Sequence, residues 1–501
     1  MAVCTECGIC SATVKRQSSM SERREPTCAR MAVLGVRILL LGALSAPLSA
    51  SAHFFAQPYT MPVPFQVYAL AVGLALGLSF LLIGVFAAVP TLGPSAPEAG
   101  CPVPASRLAR WASGVGRVLS VALLVLCIAT GAVGTKNPFT NFNMSFFWII
   151  FVLVIPYAVA LLGNFYSKVN PWLAIVDTLE KVLGVSFAGK LSYPKGLGHY
   201  PALLLYIIFI WLELFGALTP RGLSLCLVAY TVTNLCGAWL VGSRDWFRYC
   251  EFFGVMMHFF AFLAPLRRAR NACFAKEAAT AVGFSLSVFV IFMLSSTAFD
   301  GVHSTLPFAH LYWVWVLPLM SPLLEALGAN TRGLATSLYY VWQWAMLLVM
   351  LVFYVLVYTA FIWMARFVAR SQHPIQMLMN RFALSLIPVA FVYHVAHYFT
   401  LIFSQGAQLV RIVSDPFGWG WNLFGTANVD PAPLMLDTGI IWHLQVSFIL
   451  IGHVLGVYWA HVDALAVFGT RKAALVSQLP MLFLMLFLTT FGLWILSLPI
   501  A

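Results

Sequence analysis

The chain has 501 residues, of which 61% are hydrophobic and only 9% are charged. Soluble domains contain about 25% charged residues, so this composition excludes an ordinary soluble protein. The formal net charge of +12 comes from Lys and Arg in short loops between apolar stretches, a pattern that sets membrane topology and gives no reason to expect nucleic acid binding.

The first 30 residues do not belong to the predicted fold. Met31 is the better start of a membrane protein, so we interpret residues 1–30 as an N-terminal extension upstream of the native start. The alternative is that these residues bind a metal or an iron–sulfur centre, because Cys4, Cys7 and Cys10 form a CxxCxxC run.

Residues 31–52 are predicted to be a secretory signal peptide. They contain one basic residue, a short apolar core and an Ala-Ser-Ala end, the features at which such leaders are cleaved. An uncleaved first span is the alternative. Cleavage would expose His53 as the mature N-terminus, where its amine and ring nitrogen together would chelate copper.

The remaining residues, 53–501, are predicted to form one integral membrane domain of about ten helices. An apolar run of about 18 residues or more crosses a bilayer as a helix. Two shorter apolar pieces, 250–265 and 307–325, contain Pro, His or acidic residues and are predicted to be re-entrant or interfacial. The fold class is therefore all-α, a polytopic transmembrane bundle. The predicted spans are 66–90, 113–134, 144–163, 200–218, 222–242, 279–299, 336–365, 382–403, 438–462 and 476–498.

The basic loops predict the orientation of this bundle. They all fall on one side if the two short pieces do not cross and the mature N-terminus is outside. Because cytoplasmic loops are enriched in Lys and Arg, we predict a bacterial inner membrane protein with both termini in the periplasm. The same orientation places Asp300, Glu213 and most intramembrane histidines in the outer half.

Histidines within the apolar spans are the strongest functional signal. His394 and His397 are three residues apart, so they face the same side of their helix, and His443 begins the next span at a similar depth. Imidazoles with a carboxylate suit zinc, iron, copper or manganese, and metal-bound water becomes hydroxide near neutral pH. We therefore predict a divalent metal site at the outer leaflet. Its candidate ligands are His394, His397, His443, His303 and His53.

Two carboxylates are the candidate catalytic residues. Asp300 ends the 279–299 span, and Glu213 lies alone within another span. An ionisable residue inside a membrane is paired or functional by default because burying its charge is costly. Asp300 or Glu213 would act as a ligand or as a general base.

Three other interpretations of these residues remain open. Each histidine would merely join helices if it bonds a neighbouring carbonyl or hydroxyl group. A metal or small-molecule transporter would use the same histidines as a transit site with Glu213 or His453 as a relay. A copper-handling membrane protein would use His53. A transporter needs polar groups that continue toward His453 and His461, whereas an enzyme needs them at one depth.

Several segments resemble the bacterial integral membrane family named for fenitrothion hydrolase, over nearly the whole chain from about His53. The resemblance implies a membrane-embedded hydrolase of apolar organophosphorus triesters, which reach the site through membrane lipid, and it carries over no catalytic residue set. The segments are SAHFFAQPYTMPVPF, NPWLAIVDTLEKV, YPKGLGHYPALLLYIIFIWLELF, TAFDGVHST, IPVAFVYHVAHYFTLIFSQGAQLVRIVSDPFGWGWNLFGTA and IIWHLQVSFILIGHVLGVYWAHVDALAVF.

Overall fold

The computed structural model describes residues 64–86, 107–264, 283–326, 331–429 and 436–498. Within them the chain is all-helical, which confirms the predicted fold class. The predicted extension 1–30 with its three cysteines, the predicted signal peptide 31–52 and His53 lie outside these residues.

The helices are numbered here in chain order. They are α1 Phe65–Phe86, α2 Arg107–Val133, α3 Phe142–Leu162, α4 Tyr166–Val169, α5 Pro171–Leu183, α6 Tyr200–Phe215, α7 Pro220–Val241, α8 Ser243–Tyr249, α9 Phe252–Phe260, α10 Ser285–His303, α11 Leu306–His310, α12 Leu317–Ala326, α13 Thr331–Val368, α14 Ile375–Ala383, α15 Ile387–Ser404, α16 Leu409–Ser414, α17 Thr438–Phe468 and α18 Arg471–Ser497. The middle of α3 and the segment Leu311–Val316 are wound as π-helix.

Nine helices in the described part of the chain are long and apolar enough to cross a membrane, with α14 and α15 counted as one. The predicted span 200–218 is shorter than expected, because α6 has only 16 residues. The chain turns at Ala217, whose φ is 41°, before Pro220 begins α7. The short piece 250–265 forms α9, and the piece 307–325 forms a helical stretch that contains Pro322 within α12.

Helix α10 lies at the centre of the bundle. Every side chain from Ser285 to Asp300 is buried except the half-buried Val288. A helix that is apolar on all sides is expected to be surrounded by other helices, and α10 packs against α6, α13, α14, α15 and α18. The polar residues at its end are therefore held inside protein.

Small residues allow α15, α17 and α18 to approach one another closely, as is common in membrane helices. A Cβ atom placed on Gly492 of α18 would lie 1.9 Å from the Tyr393 hydroxyl oxygen, and one on Gly452 of α17 would lie 2.2 Å from the Val392 side chain. The Tyr393 hydroxyl group donates to the Leu488 carbonyl oxygen. Glycine at 492 is therefore required by this tyrosine contact.

A Gly492→Ala variant is expected to lower the free energy of unfolding by about 1–3 kcal/mol, the usual cost of overpacking. Gly77→Ala in α1 is the control, because no atom of the described structure lies within 4 Å of its added Cβ. That change gains helix propensity instead. Unfolding in mixed micelles measures both, and a Gly492→Ala variant as stable as Gly77→Ala would contradict the packing described.

Candidate functional site: a buried carboxylate–histidine cluster

Asp300 is the centre of a polar cluster at one end of α10. The residue is only 2% exposed. Its Oδ2 atom accepts a hydrogen bond from the Tyr398 hydroxyl group at 2.6 Å and lies 2.8 Å from Nε2 of His397. Charge-assisted contacts of this length are strong, particularly where water is excluded.

His303 lies one turn after Asp300 in the same helix. Its Nδ1 atom is 2.8 Å from the Asp300 carbonyl oxygen and 3.7 Å from Oδ1 of the Asp300 carboxylate. The last carbonyl groups of a helix have no partner within the helix. His303 thus caps the end of α10 while it remains next to the carboxylate.

Glu213 brings a second carboxyl group to the cluster from α6. The Tyr398 hydroxyl group lies beside Glu213, and the Glu213 and Asp300 carboxyl groups are close enough to repel each other when both are charged. The Tyr398 phenol therefore lies between two acids. This arrangement brings polar groups of α6, α10 and α15 together in one place.

Helix α15 presents its polar residues at helical spacing. Because residues three and four positions apart are neighbours on a helix, His394, His397 and Tyr398 come together. The Tyr398 ring centroid is 5.0 Å from that of His394 and 4.6 Å from that of His397. Nδ1 of His394 is buried and has no hydrogen-bond partner among the described residues, so His394 retains a free ring nitrogen beside the cluster.

A small cavity lies against His397. The His397 side chain is 26% exposed and is the more exposed member of the Asp300–His397 pair. The cavity measures about 20 Å³ and is also lined by Thr297, Tyr393, Ile449 and Gly492. A water molecule needs about 10–15 Å³ measured in this way. The cavity therefore has room for about one water molecule next to the imidazole.

The structure does not bring His443 into this cluster. His443 is exposed, and its ring lies 6.2 Å from that of Tyr68 on α1. Among the residues that the structure describes, no group of three or more His, Cys, Asp or Glu is arranged to hold a metal ion. The predicted cage of His394, His397 and His443 is thus not assembled, and a resident metal ion stays a prediction.

Tyr398 was not among the functional residues predicted from the sequence. Phenols are common in apolar spans, so a tyrosine carries little signal alone. Its position four residues after His394 and one after His397 was the available signal, because a hydroxyl group there shares the helix face of His394.

Comparison with known proteins finds no matching family model, no similar curated protein and no similar solved structure. The resemblance to the fenitrothion hydrolase family therefore stays a prediction.

Proposed function

We propose that this multi-pass membrane protein is a proton-coupled carrier that binds and releases a proton at the Asp300 cluster. The observation that carries the proposal is the buried Asp300 carboxylate in contact with both the Tyr398 hydroxyl group and the His397 imidazole. Ionisable groups inside membrane spans mark ion pathways and proton relays because an idle buried charge is costly.

The cluster contains a continuous series of groups that exchange protons. Tyr398, Asp300 and His397 each lie within hydrogen-bonding distance of the next, and Glu213 lies beside Tyr398. A proton that enters at one member moves to another by an exchange of O–H and N–H bonds, without motion of the backbone. The water-sized cavity supplies the point at which His397 exchanges its proton.

Loop charges support an orientation with the Asp300 end of the bundle toward the periplasm. Arg370, Arg381 and Arg471 lie at or near helix ends away from Asp300. Because cytoplasmic loops are enriched in Lys and Arg, we propose that their end faces the cytoplasm of a bacterial cell. The inner membrane is then the location, with the C-terminus in the periplasm.

Infrared difference spectroscopy between acidic and alkaline buffer tests the proton site. The wild-type protein is expected to show a carboxyl C=O band of a buried acid that disappears on deprotonation. The band should be lost or shifted in Asp300→Asn and retained in Glu180→Gln, which changes an exposed acid on α5. A spectrum identical in wild type and Asp300→Asn would refute the proposal.

A second candidate function is hydrolysis of apolar organophosphorus triesters, to which the resemblance points. It is favoured by the contact of His397 with Asp300, since a carboxylate that orients an imidazole is the usual arrangement of a general base. A water molecule in the cavity beside His397 would be the nucleophile. A triester is far larger than this cavity of about 20 Å³, so helices would have to separate to admit it.

Turnover of fenitrothion by purified protein tests this second candidate. His397→Gln is expected to abolish turnover, whereas His443→Gln, at an exposed histidine outside the cluster, is expected to retain it. The absence of turnover by the wild-type protein excludes the candidate. Loss of turnover in His443→Gln would instead favour the predicted metal cage.

A further inference from the structure

Helix α17 carries three buried polar side chains at equal intervals. Gln445, His453 and His461 are eight residues apart and are 6%, 0% and 0% exposed. Eight residues correspond to about 12 Å along a helix. The three residues therefore distribute polar groups over most of the thickness of a bilayer, which is about 30 Å in its hydrocarbon part.

Each of these side chains has a polar atom without a hydrogen-bond partner among the described residues. The atoms are Oε1 of Gln445, Nε2 of His453 and both ring nitrogens of His461. A buried polar group left unsatisfied costs about 1–3 kcal/mol, and such groups in proteins are normally bonded to protein or to ordered water. Three unsatisfied side chains on one helix point to water along it.

The Asp300 cluster meets this series through the cavity beside His397. Ile449 and Tyr393 line the cavity, and both also lie next to His453. Nδ1 of His453 is 2.8 Å from the Ile449 carbonyl oxygen, and the Tyr393 ring centroid is 5.9 Å from that of His453. Because a carbonyl oxygen only accepts, Nδ1 carries the proton and Nε2 of His453 is left as an acceptor.

The far end of α17 has a second polar cluster. Arg381 of α14 donates from Nε and Nη2 to Oδ1 of Asp463 at 3.0 and 2.9 Å. Oδ2 of Asp463 and Nε2 of Gln478 are buried without a partner among the described residues. The Asp463 side chain is 2% exposed and that of Arg381 is 16% exposed, so the arginine connects the buried acid to the surface.

We propose that α17 lines a hydrated proton path from the Asp300 cluster through His453 and His461 to the Arg381–Asp463 pair. The path rests on the proposed function, since it supplies the cluster with an exit at the opposite end of the bundle. At His453 a proton is accepted and released at Nε2, while Nδ1–H stays on the Ile449 carbonyl oxygen. Only O–H and N–H bonds are exchanged along the path, so no other reactant is needed.

Proton entry into liposomes containing the full chain tests the path. A potassium gradient with valinomycin provides the driving voltage, and a trapped pH-sensitive dye reports the flux. The wild-type protein is expected to conduct protons above protein-free liposomes. His453→Phe, which keeps the ring volume without an acceptor, should reduce the flux to the protein-free level.

His373→Phe is the matched control because His373 is an exposed histidine near the Arg381 end, outside the path. It is expected to conduct like the wild-type protein. If His453→Phe does not give a monodisperse protein, His461→Phe replaces it with the same expected loss. Wild-type flux in the folded variant, or no flux in the wild-type protein, would overturn the path.

The infrared band of Asp300 separates failure of the path from failure of the proposed function. A titrating band without dependence of the flux on His453 refutes the path and leaves the proton site in place. An unchanged spectrum in Asp300→Asn refutes both.

Discussion

An Asp300→Leu variant is expected to lose about 3–5 kcal/mol of unfolding free energy, the cost of removing one partner of a buried charged pair. Leucine has a similar volume but leaves the Tyr398 hydroxyl group and Nε2 of His397 without their shared acceptor. Each then loses its hydrogen bond to this buried acid. Unfolding of the purified protein in mixed micelles measures the loss.

Asp300→Asn is the matched control for this effect. Its side-chain oxygen still accepts from Tyr398, so most of the stability should be retained while the exchangeable proton of the carboxyl group is lost. The two variants therefore separate the structural role of Asp300 from its proposed role in proton transfer. A leucine variant as stable as the asparagine variant would show that the hydrogen bonds at Asp300 contribute little.

The sequence was sufficient to predict the bundle, because the length and polarity of an apolar run decide whether it crosses a membrane. The exact ends of the helices were harder to predict. The span 200–218 was predicted too long, since its apolar residues continue past the point where α6 ends. The positive φ of Ala217 is a local backbone feature that hydropathy does not encode.

The candidate site was predictable only within each helix. Helical spacing was enough to expect His394 and His397 on one face, and both now lie against Tyr398. The rotation of one helix relative to another depends on packing of all its neighbours, so His443 could not be oriented from spacing alone. The structure turns it toward Tyr68 and the surface.

The pairing of Asp463 with Arg381 likewise could not be predicted from residue spacing within one helix. A partner of Asp463 could not be predicted from the sequence, because Arg381 is distant in the chain and lies on another helix. Packing of α14 against α17 brings the two side chains together. A contact of this kind follows from the tertiary arrangement, and its energetic value is directly measurable.

Arg381→Met is expected to destabilise the protein by about 3–5 kcal/mol, because it leaves the Asp463 carboxylate buried without a counter-charge. Methionine keeps the apolar length of the arginine side chain, so the change is mainly electrostatic. Asp463 is 2% exposed, and water can therefore replace little of the lost interaction. Unfolding in mixed micelles again measures the effect.

The double variant Arg381→Met/Asp463→Leu is the decisive comparison. Replacement of both members of a buried ion pair by apolar residues is often neutral or stabilising, since neither charge then has to be desolvated. We expect it to recover most of the stability that Arg381→Met loses. A double variant no more stable than Arg381→Met would show that Arg381 stabilises the bundle through packing, because the removal of the unpaired acid would then have brought no gain.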